Sequence, residues 1–174
     1  MSLLSRAEES NFTRLVNGDL KVENAVIFKT NFEGRPTDFV PKGGKRTFLL
    51  VLTKDMADVL SEEGWNVKYR SPKVEGDDPL MFTEIIVNME SNWPPKVCLY
   101  SDFNGRKSAN NLNEETISCL DKINIASVDL IIHPRRRKPD GSSPYTVKGY
   151  ANDIRVVQAP DSNFGDKYAE YYGE

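Results

Sequence analysis

The sequence contains little of what most enzymes use for catalysis, with one histidine and two cysteines in 174 residues. His133 would have to serve any Ser–His or Cys–His relay, but it precedes Pro134 at a strand end, where we expect a histidine without a catalytic role. Cys98 and Cys119 each fall in an apolar pattern, which favours buried free thiols over a disulfide or a metal pair. Phosphate-loop, dinucleotide-binding, zinc-protease and EF-hand patterns are absent. The sequence therefore predicts no catalysis, no metal site and no cofactor.

Long hydrophobic runs are also absent. The run from Phe48 to Leu52 has about five residues, whereas a membrane-spanning helix needs about 20. Glu8 and Glu9 stand where a signal peptide would need an uninterrupted apolar segment. We therefore expect a cytoplasmic protein.

The chain lacks an overall excess of positive charge, because its formal net charge is −3. Residues 161–174 hold four acids and one lysine, so residues 1–160 balance at 22 cations and 22 acids. Within this neutral part, Arg135 to Lys138 are four consecutive cations that follow an apolar stretch. The excess negative charge therefore lies in the C-terminal segment, away from the most basic part of the sequence.

Short segments rich in β-branched and aromatic residues, separated by turn residues, predict a mainly β protein. The predicted strands cover residues 21–32, 47–52, 65–70, 82–89, 96–101, 128–132 and 145–157. Residues 33–46, 71–79 and 102–111 are predicted to be loops. A change of apolar parity between Val147 and Ile154 predicts a bulge or bend near Gly149. The absence of a βαβ rhythm favours a single OB-like antiparallel β-barrel with two short helices.

Capping residues mark the two predicted helices. Thr53 is expected to cap the N-terminus of a helix over residues 54–63, and Gly64 to end it. Asn113 is expected to cap a second helix, with Glu114 and Glu115 in its first turn. The predicted organisation is a flexible or capping arm over residues 1–18, one domain over 19–160 and an acidic tail over 161–174.

Basic residues with aromatic residues nearby are the strongest functional signal. One group lies on the predicted hairpin and comprises Arg135, Arg136, Arg137, Lys138, Lys148, Tyr145 and Tyr150. A second belongs to the 33–46 loop and comprises Phe39, Lys42, Lys45 and Arg46. Binding of single-stranded nucleic acid needs this combination, because cations track the phosphates while flat side chains stack on bases. The alternative is a solvated basic hairpin with its aromatic residues in the core.

The C-terminal segment combines acidic and aromatic residues and is too short to form a core. We expect it to be disordered or loosely docked, covering a basic groove until phosphates displace it and free it for a protein partner. The residues expected to contact such a partner are Phe164, Asp166, Tyr168, Glu170, Tyr171, Tyr172 and Glu174. A plain solubilising tail is the alternative.

The chain resembles the single-stranded-DNA-binding proteins of tailed bacteriophages over roughly residues 20–172. The matching pieces are residues 26–34, 45–52, 63–68 (Glu-Gly-Trp-Asn-Val-Lys), 94–97, 113–116, 120–121 and 128–132, followed by the acidic, tyrosine-containing end. The resemblance implies an OB barrel that coats single strands during phage DNA replication, recombination or repair, without catalysis, in the host cytoplasm. It also implies binding across the sheet and between the 33–46 loop and the 133–145 hairpin. The chain departs from the family at Arg135, where an aromatic residue often follows the proline.

Other functions remain open from the sequence. A phage structural or assembly protein could use the basic hairpin to bind an acidic protein partner. A metal-dependent nuclease would need carboxylates that converge in space, and no spacing in the sequence indicates them. Self-association is possible, and replication or recombination proteins are the partners expected for the tail.

Overall fold

The computed structural model describes residues 3–72, 75–76, 78–137 and 146–160. The two α-helices are α1 (Leu3–Ala7) and α2 (Lys54–Glu63), and among the described residues no helix is long and apolar enough to cross a membrane. The strands are β1 (Asn11–Arg14), β2 (Leu20–Glu23), β3 (Ile27–Asn31), β4 (Thr47–Leu52), β5 (Val67–Arg70), β6 (Leu80–Ile86), β7 (Lys96–Phe103), β8 (Arg106–Leu112), β9 (Ile125–Arg137) and β10 (Thr146–Gln158).

The protein is mainly β, as the sequence predicts, and β10 is the centre of its sheet. The strand order is β1-β2-β9-β10-β6-β4-β3, with β5 paired to β6 and β8 reached through β7. One edge of β10 pairs antiparallel with β9 along most of its length. Its other edge pairs parallel with β6 at Gly149 and Tyr150, and parallel with β7 from Asp153 onward. The expected antiparallel pairing is therefore wrong for β10 with β6 and β7, although the other strand pairs are antiparallel. Hydrogen bonds between the named strands do not close the sheet within the described residues.

The predicted first strand over residues 21–32 is two strands, β2 and β3. Asn24 lies between them in the left-handed region at φ 54°, which asparagine tolerates better than most residues. Its N–H donates to Asp129 Oδ1 at 2.9 Å, and the N–H of Ala25 donates to the carbonyl of Val128 at 2.8 Å. This turn moves the chain from pairing with β9 to pairing with β4.

The predicted loop over residues 102–111 is instead the hairpin of β7 and β8. Asn104 and Gly105 form its turn with φ values of 53° and 80°, which suits a two-residue turn with both central residues left-handed. Every residue of β8 except Leu112 is exposed. The strand therefore has no alternation of apolar and polar residues, and the Asn-Gly pair was the one local signal that could have indicated it.

The first predicted helix is confirmed, and the second is not. Thr53 Oγ1 accepts a hydrogen bond from the N–H of Met56 at 3.3 Å, and Gly64 ends α2 at φ 100°. The second segment is a 3-10 helix, Ile117–Asp121. Asn113 Oδ1 accepts from the N–H of Glu115 at 2.9 Å and of Thr116 at 3.1 Å, which makes a local turn before the helix instead of an α-helical cap.

The predicted irregularity of β10 exists, but it lies beyond Gly149. The register shift falls between Ala151 and Asp153 and leaves Asn152 unpaired in the ladder. Gly149 serves close packing, because a Cβ there would lie 2.5 Å from Cζ3 of Trp65. The glycine therefore marks where α2 and its following residues approach β10.

The core lies between the inner face of the curved sheet and α2. Its largest fully buried side chains are Phe32, Phe48, Leu20, Leu50, Leu52, Leu60, Ile85, Ile117, Leu120, Leu130, Ile132 and Ile154. On another side, Ala7 of α1 packs with Val26 and Val51 in a smaller cluster. Residues 3–14 thus cover part of the sheet, with β1 paired to β2.

Candidate nucleic-acid interface

The β9–β10 hairpin carries its cations on two faces. Arg135 lies opposite Lys148, and His133 lies opposite Tyr150, so alternation puts these side chains and Arg137 on the outward face. The guanidinium carbon of Arg135 lies 4.6 Å from the centre of the Tyr150 ring. We call Arg135, Arg137, Lys148 and Tyr150 the outer hairpin face. Its three cations are exposed and its aromatic ring is half-buried, and together they form one surface.

Arg136 lies on the opposite face of the hairpin, where it pairs in register with Val147. There it lines a cleft of about 430 Å³ together with Trp65 and with Arg14, whose Nη2 donates to Glu63 Oε2 at 2.7 Å. The run of four cations is therefore not one patch. Lys138 and Tyr145, also predicted for the interface, lie outside the described residues.

Like charges directly opposite one another destabilise a strand pair by up to about 1 kcal/mol, and Arg135 faces Lys148 in this way. The contact of Arg135 with the ring of Tyr150 offsets part of that cost, since exposed cation–π contacts are worth about 0.5–1 kcal/mol. An anion between the two cations would remove the repulsion. The outer hairpin face is therefore suited electrostatically to a phosphate.

A buried carboxylate supports this face from below. Asp19 is 4% exposed and accepts hydrogen bonds from His133 Nδ1 at 2.7 Å and from Asn152 Nδ2 at 3.2 Å. A carboxylate is an acceptor, so the proton lies on Nδ1 of His133. The histidine therefore joins the β1–β2 turn to β9.

The 33–46 loop closes on itself at its base. The N–H of Gly44 donates to the carbonyl of Gly34 at 2.8 Å, and a Cβ on Gly43 would lie 2.9 Å from that oxygen. The N–H of Thr37 donates to the carbonyl of Val40 at 3.0 Å, which folds the tip. Phe39 at this tip is 96% exposed, in the manner of a compact loop whose ends lie close together.

The three cations of this loop that were predicted for the site have different surroundings. Lys42 is exposed, whereas Lys45 Nζ pairs with Glu84 Oε1 at 3.1 Å. Arg46 Nε donates to the carbonyl of Phe32 at 2.8 Å, and its Nη2 donates to the carbonyl of Glu114 at 3.3 Å. Arg46 therefore fixes the base of the loop, and this occupies much of its donor capacity.

The loop base and the outer hairpin face lie on the same side of the sheet. Thr47, just after the loop, is opposite Ile86 of β6, and Ile86 is opposite Tyr150 of β10. Directly opposed residues share a face, and neighbouring strands are about 4.8 Å apart. About 10 Å of half-buried sheet surface therefore separates Thr47 from Tyr150. The fold thus brings together two of the predicted groups, which are about 100 residues apart in the sequence.

Comparison with known proteins identifies the family. A sequence model of the family described as "Putative phage ssDNA-binding domain" matches residues 9–171. The chain belongs to this family. No curated protein sequence matches it.

The phage ssDNA-binding domain of this chain has structural neighbours of low sequence identity. The single-stranded DNA-binding protein from bacteriophage Enc34 is 12% identical with a TM-score of 0.50, covering 93% of this chain and 94% of that one. Its C-terminal truncation is also 12% identical with a TM-score of 0.50, over 87% and 91% of the two chains. The same protein in complex with ssDNA is 11% identical with a TM-score of 0.51, over 87% and 92%. At this identity the likeness shows a shared fold.

Two exposed aromatic residues of this family member lie outside the hairpin and the 33–46 loop. Trp93 is 90% exposed in the segment between β6 and β7, and Tyr69 is 58% exposed on β5. Trp93 precedes two prolines, which cannot continue a strand interior, and this was the signal that a large aromatic residue lies outside the sheet. Beside Tyr69, Arg70 stacks 5.4 Å from the centre of the Phe28 ring.

Further along β10, Arg155 is neutralised locally. Its Nε donates to Asp153 Oδ1 at 3.2 Å, and this hydrogen bond together with the charge of Asp153 raises the pKa of Arg155. On the neighbouring strand, a hydrogen bond with Cys98 raises the pKa of Tyr100, which keeps its hydroxyl protonated. Positive charge available to a ligand is therefore greater at the Arg135 end of β10.

The structure bears on the two cysteines as well. Cys98 and Cys119 are free and half-buried, and burial raises the pKa of the Cys119 thiol. Within the described ranges, no group of three or more His, Cys, Asp and Glu side chains could hold a metal ion. The predicted tail contacts, Phe164 to Glu174, fall outside those ranges.

Proposed function

We propose that this chain is a sequence-tolerant single-stranded DNA-binding protein that coats single strands during phage DNA replication, recombination or repair. The observation that carries the proposal is the guanidinium of Arg135 placed 4.6 Å from the ring of Tyr150 and opposite Lys148. Cations beside an aromatic ring meet the two needs of this ligand, neutralised phosphates and a stacking surface for bases. The family membership and the Enc34 protein in complex with ssDNA support it.

On this proposal the single-stranded DNA crosses the sheet from the 33–46 loop to the β9–β10 hairpin. Arg135, Arg137, Lys148 and Lys42 neutralise phosphates, while Tyr150 and Phe39 stack on bases. Lys138 and Tyr145, which lie outside the described residues, are proposed as contacts from the sequence alone. Lys45 and Arg46 contribute less than the sequence alone predicts, because one pairs with Glu84 and the other binds backbone carbonyls. Arg136 lies on the other face and contributes least.

We also propose that the strands form an OB-like barrel. The strand order has β3 at one end and β2 next to β1 at the other, yet β2 and β3 are consecutive in the chain and are separated only by Asn24, Ala25 and Val26. The carbonyl of Val128 and the N–H of Val51 bond to this connecting segment at 2.8 and 2.9 Å. On this proposal β2, the kinked segment and β3 act as one bent strand, which pairs with β9 at one end and with β4 at the other. A five-stranded barrel of this kind commonly binds oligonucleotides on its sheet face.

The protein acts without catalysis on this proposal, in the cytoplasm of the host cell. Its acidic tail, residues 161–174, competes with DNA for the outer hairpin face and recruits replication or recombination proteins when DNA displaces it. The charge division supports this role, since the tail holds four acids against one lysine and the rest of the chain is neutral. Deleting residues 161–174 is expected to strengthen DNA binding at low salt and to abolish recruitment.

A titration of labelled oligo-dT at several salt concentrations tests the function. The proposal assigns phosphate contacts to Arg135, Arg137, Lys148 and Lys42. If each of the four contacts one phosphate, a plot of log K against log salt has a slope of about −3, since each contact on a single strand adds about −0.7. Affinity then falls about 50-fold between 50 and 200 mM salt. Unlabelled duplex should compete more weakly than unlabelled oligo-dT. Absence of binding, or binding indifferent to salt, would contradict the proposal and leave an assembly protein with an acidic partner as the better explanation.

A further inference from the structure

The segment between β6 and β7 starts and ends beside the outer hairpin face. The chain leaves the edge of β10 at Ile86, opposite Tyr150, and returns to the same edge at Lys96, opposite Asp153. These two positions on β10 are about 10 Å apart at the rise of a β-strand. The nine residues 87–95 therefore form a short excursion whose two ends are fixed next to Tyr150.

Three of the five apolar residues of this segment are buried, whereas Trp93 and Pro94 are exposed. Val87 is 2% exposed and Met89 is 8% exposed, and Pro95 is also buried. The N–H of Val87 donates to the carbonyl of Arg46 at 2.9 Å, which ties the segment to the base of the 33–46 loop. Trp93 is 90% exposed among these anchored neighbours. Its exposure is therefore not explained by a loose segment.

The prolines that follow restrict the backbone at Trp93. A residue before proline is confined to extended conformations, and the proline ring fixes its own backbone angle. The indole is thus presented from a backbone with little freedom, so little conformational entropy is lost when a ligand contacts it. Tryptophan is also well suited to stacking, since its flat apolar ring is the largest among the side chains.

We infer that Trp93 is a further DNA-contacting residue, which stacks on a base at the loop end of the interface. This inference rests on the proposed function and extends it to a residue outside the basic groups. The position is continuous with the interface, because the same segment borders Tyr150 on one side and the base of the Phe39 loop on the other. Lys96 follows three residues later and Glu90 precedes it, so the local charge is balanced and stacking is the expected contribution.

The two tryptophans make the inference directly measurable. Trp65 is 5% exposed and Trp93 is 90% exposed, so an added base can quench the emission of Trp93 by direct contact. Oligo-dT is expected to quench the intrinsic fluorescence of the full-length protein, and Trp93→Phe should remove most of that change. Trp93→Ala should weaken oligo-dT binding by about 5- to 150-fold, the range that corresponds to stacking energies of about 1–3 kcal/mol. Trp93→Phe should weaken it less, since a smaller ring remains. The salt slope should stay unchanged in both variants, because no phosphate contact is lost.

Binding of a labelled oligo-dT, followed by anisotropy, keeps this inference separate from the proposed function. If wild type binds by anisotropy but its tryptophan emission does not change and Trp93→Ala binds equally well, the inference is wrong while the function holds. If wild type does not bind at all, the proposed function fails. Sedimentation of wild type and Trp93→Ala supplies the remaining control, because a variant that changes only its oligomeric state would assign Trp93 to contact between copies of the chain and overturn the inference. Val16→Ala, which alters another fully exposed apolar residue on the β1–β2 turn, should match wild type in every measurement.

Discussion

Replacing Arg135 and Arg136 one at a time tests whether the hairpin binds DNA through one face. The two residues are neighbours in sequence with the same charge, but Arg135 stacks on Tyr150 and Arg136 lines the cleft beside Trp65. Arg135→Ala should remove one phosphate contact and so flatten the salt slope by about 0.7. If the variant and wild type bind equally at 1 M salt, this difference in slope makes the variant bind about 5-fold more weakly at 0.1 M salt. Arg136→Ala should leave the slope unchanged.

The stability of Arg135→Ala should change little, because two effects oppose each other. The variant loses a cation–π contact worth about 0.5–1 kcal/mol, and it also loses repulsion from Lys148 of similar size. The free energy of unfolding should therefore stay within about 1 kcal/mol of wild type, and a thermal melt checks this.

The assay is fluorescence anisotropy of labelled oligo-dT at four or more salt concentrations. Arg135→Lys is the matched control, since it keeps the charge but has no planar guanidinium to lie on Tyr150. It should keep the wild-type slope and bind somewhat more weakly. Equal flattening by the alanine variants of Arg135 and Arg136 would refute the division of the hairpin into two faces. An unchanged slope in both would remove the hairpin from the interface.

Three further substitutions follow from the structure. Gly149→Ala should lower the free energy of unfolding by about 1–3 kcal/mol, because its Cβ would lie 2.5 Å from Cζ3 of Trp65. A melting temperature equal to that of wild type would contradict this packing. Asp19→Asn should cost about 1–3 kcal/mol in the same assay, since one oxygen that accepts from His133 or Asn152 is lost; full stability would mean that the carboxylate is not an anchor. Glu84→Gln should strengthen oligo-dT binding up to about 5-fold at low salt, since it frees Lys45 from its ion pair. Weaker binding by this variant would argue against a DNA path over β6.

Local signals in the sequence were sufficient for α2. Thr53 and Gly64 act through hydrogen bonds within one turn of their own position, so their effect can be predicted without knowing the rest of the fold. The structure confirms this helix. The strand before the basic run was predicted only over residues 128–132, whereas β9 continues to Arg137 because its end pairs with β10.

The errors arose where distant residues decide the local structure. The break at Asn24 depends on Asp129, more than a hundred residues away, which binds its N–H. Strand β8 is polar along its length and forms through its ladder with β7, so its composition resembles a loop. The parallel pairing of β10 with β6 and β7 also has no local signal, because pairing direction is set by the path of the whole chain.

Only part of the candidate site could be predicted, because the rest also depends on residues that are distant in the sequence. Composition identified the basic and aromatic residues. It could not show that Arg135 and Arg136 lie on opposite faces of the hairpin, or that Lys45 pairs with Glu84. Strand register decides the first, and a cross-strand neighbour on β6 decides the second. Trp93 was missed because exposure, not residue type, makes it a candidate. Functional residues that depend on register or exposure need the structure.

Photochemical crosslinking to oligo-dT that carries 5-iodouracil, read by mass spectrometry of the digested protein, tests most directly where the strand lies. Aromatic side chains that stack on a base should form adducts, so the outer hairpin face predicts a crosslinked peptide containing Tyr150. That adduct should disappear in Tyr150→Ala and diminish as salt weakens binding. Adducts confined to Trp65 in the cleft or to residues 106–112 on β8, with none at Tyr150, would contradict a DNA path across this face.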